Sequence, residues 1–79
     1  MGFMKRALWI ANPQSSFGTR LSSIRRDGGW SQEALALETG MARSYLSGVE
    51  RGKRNISLVN ICRLAHTLGV KPSQLLELD

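Results

Sequence analysis

The 79-residue chain carries eleven Lys and Arg against six Asp and Glu, a formal charge of +5, with 42% hydrophobic residues. It is long enough for one small domain, too apolar for disorder, and biased toward a polyanionic partner. No apolar run approaches the ~20 residues of a membrane span, and the single cysteine, Cys62, and single histidine, His66, exclude an internal disulfide and a structural zinc site. A reducing, cytoplasmic setting is the simplest expectation.

Residues 1–15 show no sustained periodicity. The start MGFMKRALWIA looks only faintly like a signal sequence, because its apolar block falls short of the ~7–15 residues required and Asn12-Pro13 interrupt it. We expect a flexible arm over 1–15 and a folded domain over 16–79. From Ser16 the pattern turns helical: Phe17, Leu21 and Ile24 fall on one face, and Asp27-Gly28-Gly29 end the run. Ser31 suits an N-cap, with Glu33 in the first turn, for a second helix from Gln32 to Thr39 that buries Leu35 and Ala36 and stops at Gly40. Trp30 is expected to pack under this helix. A third helix runs from Arg43 to Arg51, pointing Leu46 and Val49 inward, and Gly52 closes it. Ser57 caps a fourth helix whose expected inward stripe is Leu58, Ile61, Cys62, Ala65 and Leu68, ended by Gly69. His66 lies off that stripe, at a surface or interface. Pro72 opens a short fifth helix through Leu75, Leu76 and Leu78. The prediction is an all-α, compact five-helix domain.

Helices two and three are joined by only Gly40 to Ala42, and a short glycine-bearing turn forces the sharp bend of a helix-turn-helix. The stretch ETGMARSYLSGVERGKRN (38–55) places Arg43, Ser44, Tyr45 and Ser47 off the apolar face of helix three. Arg51, Lys53 and Arg54 crowd around the glycine behind it. This juxtaposition of outward polar groups and clustered cations is what a nucleic-acid-reading helix needs. No paired carboxylates, no Ser/His/Asp set and no phosphate-cradling loop point to an enzyme, and no cofactor or small-molecule ligand is implied.

The pieces FGTRLSSIRR, WSQEALALETG, RSYLSGVERGKRN and SLVNICRLAHTLGVKPSQLL resemble the Cro/cI-type, or XRE-type, helix-turn-helix regulators, and the likeness runs from Phe17 to Leu76. Within that family, RSYLSGVERGKRNISL is most similar to the controller proteins of restriction–modification systems. The resemblance implies a lambda-repressor-like fold with helix three in the major groove. Arg43, Ser44, Tyr45 and Ser47 would then face the bases. Ser31, Gln32, Arg51, Lys53, Arg54 and Asn55 would hold phosphates. Arg25 and Glu50 match a family salt bridge between helices one and three. One departure is Ala42, where the family often caps helix three with Ser or Thr.

These readings converge on a homodimeric, sequence-specific regulator of double-stranded DNA. It would bind a palindromic operator and control its own and restriction–modification genes. The end run Leu75, Leu76 and Leu78 is expected at the dimer contact, and Glu33 and Glu38 are the acidic residues placed to meet RNA polymerase. The runner-up is the antitoxin of a toxin–antitoxin pair, built on the same DNA-binding fold. Cys62, on the expected apolar stripe, is expected in the core.

Overall fold

Asn12 and Pro13 open the first helix of the computed structural model, which describes residues 10–78. Asn12 Oδ1 accepts the Ser15 N–H at 3.1 Å, and Pro13, which has no N–H to satisfy, takes the first helical position. Helix α1 therefore spans Pro13–Asp27, beginning three residues ahead of the expected Ser16. The Asn-Pro pair that reads as an interruption of the preceding apolar block is this helix's start signal. The remainder of the expected arm, 1–9, lies outside the described residues.

The other four helices are α2 (Gln32–Thr39), α3 (Arg43–Glu50), α4 (Leu58–Leu68) and α5 (Pro72–Leu75). Ser31 caps α2 by accepting the Ala34 N–H at 3.0 Å, and Ser57 caps α4 through the Asn60 N–H at 3.1 Å. Helix α2 stops at Gly40, whose φ of 74° a side chain would strain. The following Met41 N–H returns to the Ala36 carbonyl at 3.0 Å, which closes the turn toward α3. Helix α3 begins at Arg43 with extended Ala42 before it and no side-chain cap, and Arg51 stands just past its end. Helix α5 is a single turn that stops at Leu75, short of the expected Leu78, with Leu76 as its C-cap.

Helices of eight residues are marginal alone in water, so tertiary packing must hold α2 and α3. Each helix supplies one leucine that is fully buried: Leu21, Leu35, Leu46, Leu64 and Leu75. Burying such a side chain is worth roughly 1.5–3 kcal/mol. Around this centre α1 packs on α3 and α5, α2 on α3 and α4, and α4 on α5. Trp30 is half-buried against the same cluster.

Three expectations are corrected here. Helix α4 turns Ile61, Leu64 and Ala65 inward, so Leu58 and Cys62 are exposed rather than core. Leu58 and Cys62 share the three-and-four spacing with Ile61 and Ala65, but so does Leu64, and the contact with α2 and α5 selects the Leu64 side. Leu75 belongs to the chain's own core, so it is not available to a partner; only Leu76 and the half-buried Leu78 of that run reach the surface.

At Gly18 the backbones of α1 and α3 approach closely. A Cβ built there would lie 2.5 Å from both the Val49 and Glu50 carbonyl oxygens. In an open helix Gly→Ala stabilises by about 0.5–1 kcal/mol. Here Gly18→Ala should instead destabilise by about 1–3 kcal/mol, the usual cost of overpacking. Urea denaturation checks the sign.

Candidate nucleic-acid interface

The Glu50 carboxylate, at the end of α3, organises the interface from behind. Arg25 of α1 reaches it with two bonds, Nε to Oε2 at 2.6 Å and Nη2 to Oε1 at 3.0 Å. Gln32 of α2 donates Nε2 to Oε1 at 2.9 Å. The third face of the guanidinium donates Nη1 to the Trp30 carbonyl at 2.8 Å, while the Trp30 N–H returns to the Arg25 carbonyl at 3.0 Å. The side chains of Arg25 and Glu50 are only 11% and 5% exposed. Charges so buried demand partners, and the fork of Arg matches a carboxylate in a way that Lys could not. The result ties α1, the 28–31 turn, α2 and α3 together at one point.

With its base anchored and Leu46 and Val49 buried, α3 has a single outward side. Arg43 and Ser44 are exposed at its start, and Ser47 is half-buried one turn on. Arg43 Nη1 lies 3.9 Å from a Glu33 carboxylate oxygen, with both side chains largely in water. Such a pair is worth little, and Arg43 can leave it at small cost. Ala42 supplies no side-chain acceptor, so the first N–H groups of α3 are uncapped by any side chain.

Tyr45 is placed differently from a free groove-reading ring. It is half-buried, its hydroxyl donates to the Asn55 carbonyl at 3.4 Å, and it accepts from Asn60 Nδ2 at 3.3 Å. Asn55, exposed on the loop, also accepts through Oδ1 from Gln14 Nε2. Arg51, Lys53 and Arg54 are exposed beside it, and none of them enters an ion pair among the described residues. At the start of α2, Ser31 is exposed, with its oxygen used as the α2 cap and its hydroxyl proton still available. Gln32 has one amide hydrogen committed to Glu50, which leaves its second hydrogen and its backbone N–H at the start of α2.

Gly18, Gln14 and the backbone carbonyl of Trp30 support this face without having been singled out in the sequence. Gly18 carried a signal, a glycine in the middle of an otherwise regular helical pattern. The Trp30 carbonyl carried none, because a backbone acceptor leaves no mark in the sequence, and Gln14 carried none, because its partner Asn55 is 41 residues away. No helix among the described residues is long and apolar enough to cross a membrane.

A sharp Gly40 turn, a helix braced behind and polar in front, and cations on the loop that follows define a helix-turn-helix DNA-binding domain. The Helix-turn-helix family model HTH_3 matches residues 21–75, and the chain belongs to this XRE-type family of transcriptional regulators, which are not enzymes. The chain is 45% identical over 62 residues to control protein C.BamHI of Bacillus amyloliquefaciens, covering 77% of this chain and 76% of that protein. The crystal structure of the restriction-modification controller protein C.AhdI from Aeromonas hydrophila matches with a TM-score of 0.77 at 52% identity, over 78% of this chain and 94% of that one. The biofilm regulator SinR, crystallised in complex with DNA, matches with a TM-score of 0.74 at 34% identity, over 77% and 98%.

Removing the Glu50 carboxylate would leave Arg25 buried without its counter-charge. Glu50→Ala should therefore cost about 3–5 kcal/mol, whereas Glu33→Ala, in the exposed pair with Arg43, should stay within about 0.5 kcal/mol. Thermal and urea unfolding of the two variants, side by side, checks the contrast.

Proposed function

We propose that this chain is a sequence-specific regulator that binds a palindromic DNA operator as a homodimer and controls restriction–modification genes, its own included. The observation that carries the DNA reading is the outward side of α3: Arg43 and Ser44 stand exposed on a helix whose opposite side is locked by Leu46, Val49 and Glu50. Arg43 has the geometry for a bidentate contact to guanine O6 and N7. Ser44 and Ser47 follow along the same groove edge. Tyr45, tied by its hydroxyl to the loop, offers the exposed part of its ring to a base methyl. Ser31 and Gln32 would meet the backbone on one side of the groove. Arg51, Lys53, Arg54 and Asn55 would meet it on the other. The restriction–modification role is supported by the likeness to C.BamHI and C.AhdI.

Dimerisation is supported by exposed apolar side chains that a monomer of this size has no use for. Leu58 and Val59 are 68% and 66% exposed and share one side of α4 with Cys62, and Leu76 at the end of α5 is 44% exposed. A second copy would cover them, and two-fold symmetry would place half-sites about 34–36 Å apart.

Selection from a randomised duplex pool at near-physiological salt should enrich a two-fold-symmetric motif. Recovery of no motif, with binding that vanishes as salt rises, would reduce the charge to generic attraction. On the enriched duplex, Arg43→Ala should relax the preference at one base position at a cost of about 1–3 kcal/mol. Lys53→Ala should weaken all sequences alike and lower the salt slope by about 1. Val59→Glu should shift sedimentation toward monomer and weaken operator binding with it; a dimer of undiminished stability would remove α4 from the interface.

A further inference from the structure

Gly48 lies in the middle of α3, one turn beyond Tyr45, and it is buried although it points toward the DNA-facing loop. What covers it is Arg54. A Cβ at position 48 would meet Arg54 Cγ at 2.7 Å, Nε at 3.6 Å and Cδ at 3.7 Å, and these are its three nearest neighbours. Farther along the same side chain, Arg54 Cζ stands 5.9 Å from the centroid of the Tyr45 ring. The ring is itself held, by the Asn55 carbonyl and the Asn60 amide on either side of its hydroxyl. Arg54 joins no ion pair among the described residues, so the guanidinium is held by position and left with its donors facing out.

The backbone at Gly48 does not require glycine, since its φ is not among the positive ones. A glycine inside a helix costs about 0.5–1 kcal/mol relative to alanine, and at this site the missing methyl makes room only for an exposed side chain. We propose that Gly48 and Tyr45 form a seat that pre-sets Arg54 for an operator phosphate, with Gly48 a positioning residue rather than a structural one. This rests on the DNA-binding function proposed above. A long side chain that must be ordered on binding loses about 0.5–1.5 kcal/mol, and the seat removes that cost in advance.

Three measurements on the full chain test this. Gly48→Ala should melt at the same temperature as the wild type or higher, because only the Arg54 stem must move. In the free protein, the NMR order parameter of the Arg54 Nε–Hε bond should fall in Gly48→Ala. On the duplex enriched by the wild type, Gly48→Ala should bind about three- to tenfold more weakly, while Gly48→Ala combined with Arg54→Ala should bind no worse than Arg54→Ala alone. An unchanged order parameter overturns the seat, and it does so without DNA. A lowered order parameter with unchanged affinity overturns its role in binding, as would additive losses in the double variant. In both cases the wild type still binds its operator and the proposed function stands. Failure of the wild type to enrich any duplex overturns that function, and the role of Arg54 falls with it.

Discussion

A carboxylate removed from water is the constraint on which this domain depends. Glu50 sits where three helices and a turn meet, and its two oxygens accept from Arg25 twice and from Gln32 once. A buried ion pair of this kind adds little net stability against a well-packed apolar alternative. Its contribution is geometric. The planar guanidinium can serve Glu50 and the Trp30 carbonyl together in only one arrangement, so α1, α2 and α3 share one relative placement. For a helix-turn-helix domain, in which the relative placement of short helices defines the motif, that placement matters more than the energy.

Stability comes from elsewhere, and from a small source. Five leucines, one from each helix, make the dry centre, with Val49 beside them. Short helices leave little redundancy: each supplies one to three buried apolar side chains. The close crossing of α1 and α3 at Gly18 belongs to the same economy, because the two backbones touch where a side chain would have kept them apart. Polar groups then occupy the outward side of α3 without competing for the core.

The positive charge is arranged so that it stays available. Arg25 is consumed inside, and Arg20 is held at the C-terminal end by the Gln74 carbonyl at 2.7 Å and by Glu77 at 3.1 Å. Arg51, Lys53 and Arg54 lie together after α3 without acidic partners among the described residues. Three exposed cations therefore stand together directly behind α3.

Local chemistry sufficed for the sequence by itself to determine the all-α class and most helix limits. Ser31, Gly40, Ser57 and Gly69 act through atoms within a few residues of themselves, so their roles are legible without knowing what the helices touch. Leu46 and Val49 were legible as the inward side of α3 for a similar reason, since they are its only aliphatic side chains, whereas the half-buried placement of Tyr45 beside them was not. What only the tertiary structure decided were the choices that periodicity leaves degenerate. On α4, two overlapping stripes satisfy the same spacing, and packing against α2 and α5 buried Leu64 while leaving Leu58 and Cys62 in water. At the chain's end, three leucines in four residues looked alike, and the shortness of α5 gave Leu75 to the core and Leu76 to the surface. The tethering of Tyr45 to Asn55 and Asn60 and the covering of Gly48 by Arg54 were likewise settled by the path of the loop between α3 and α4, which helical periodicity does not describe.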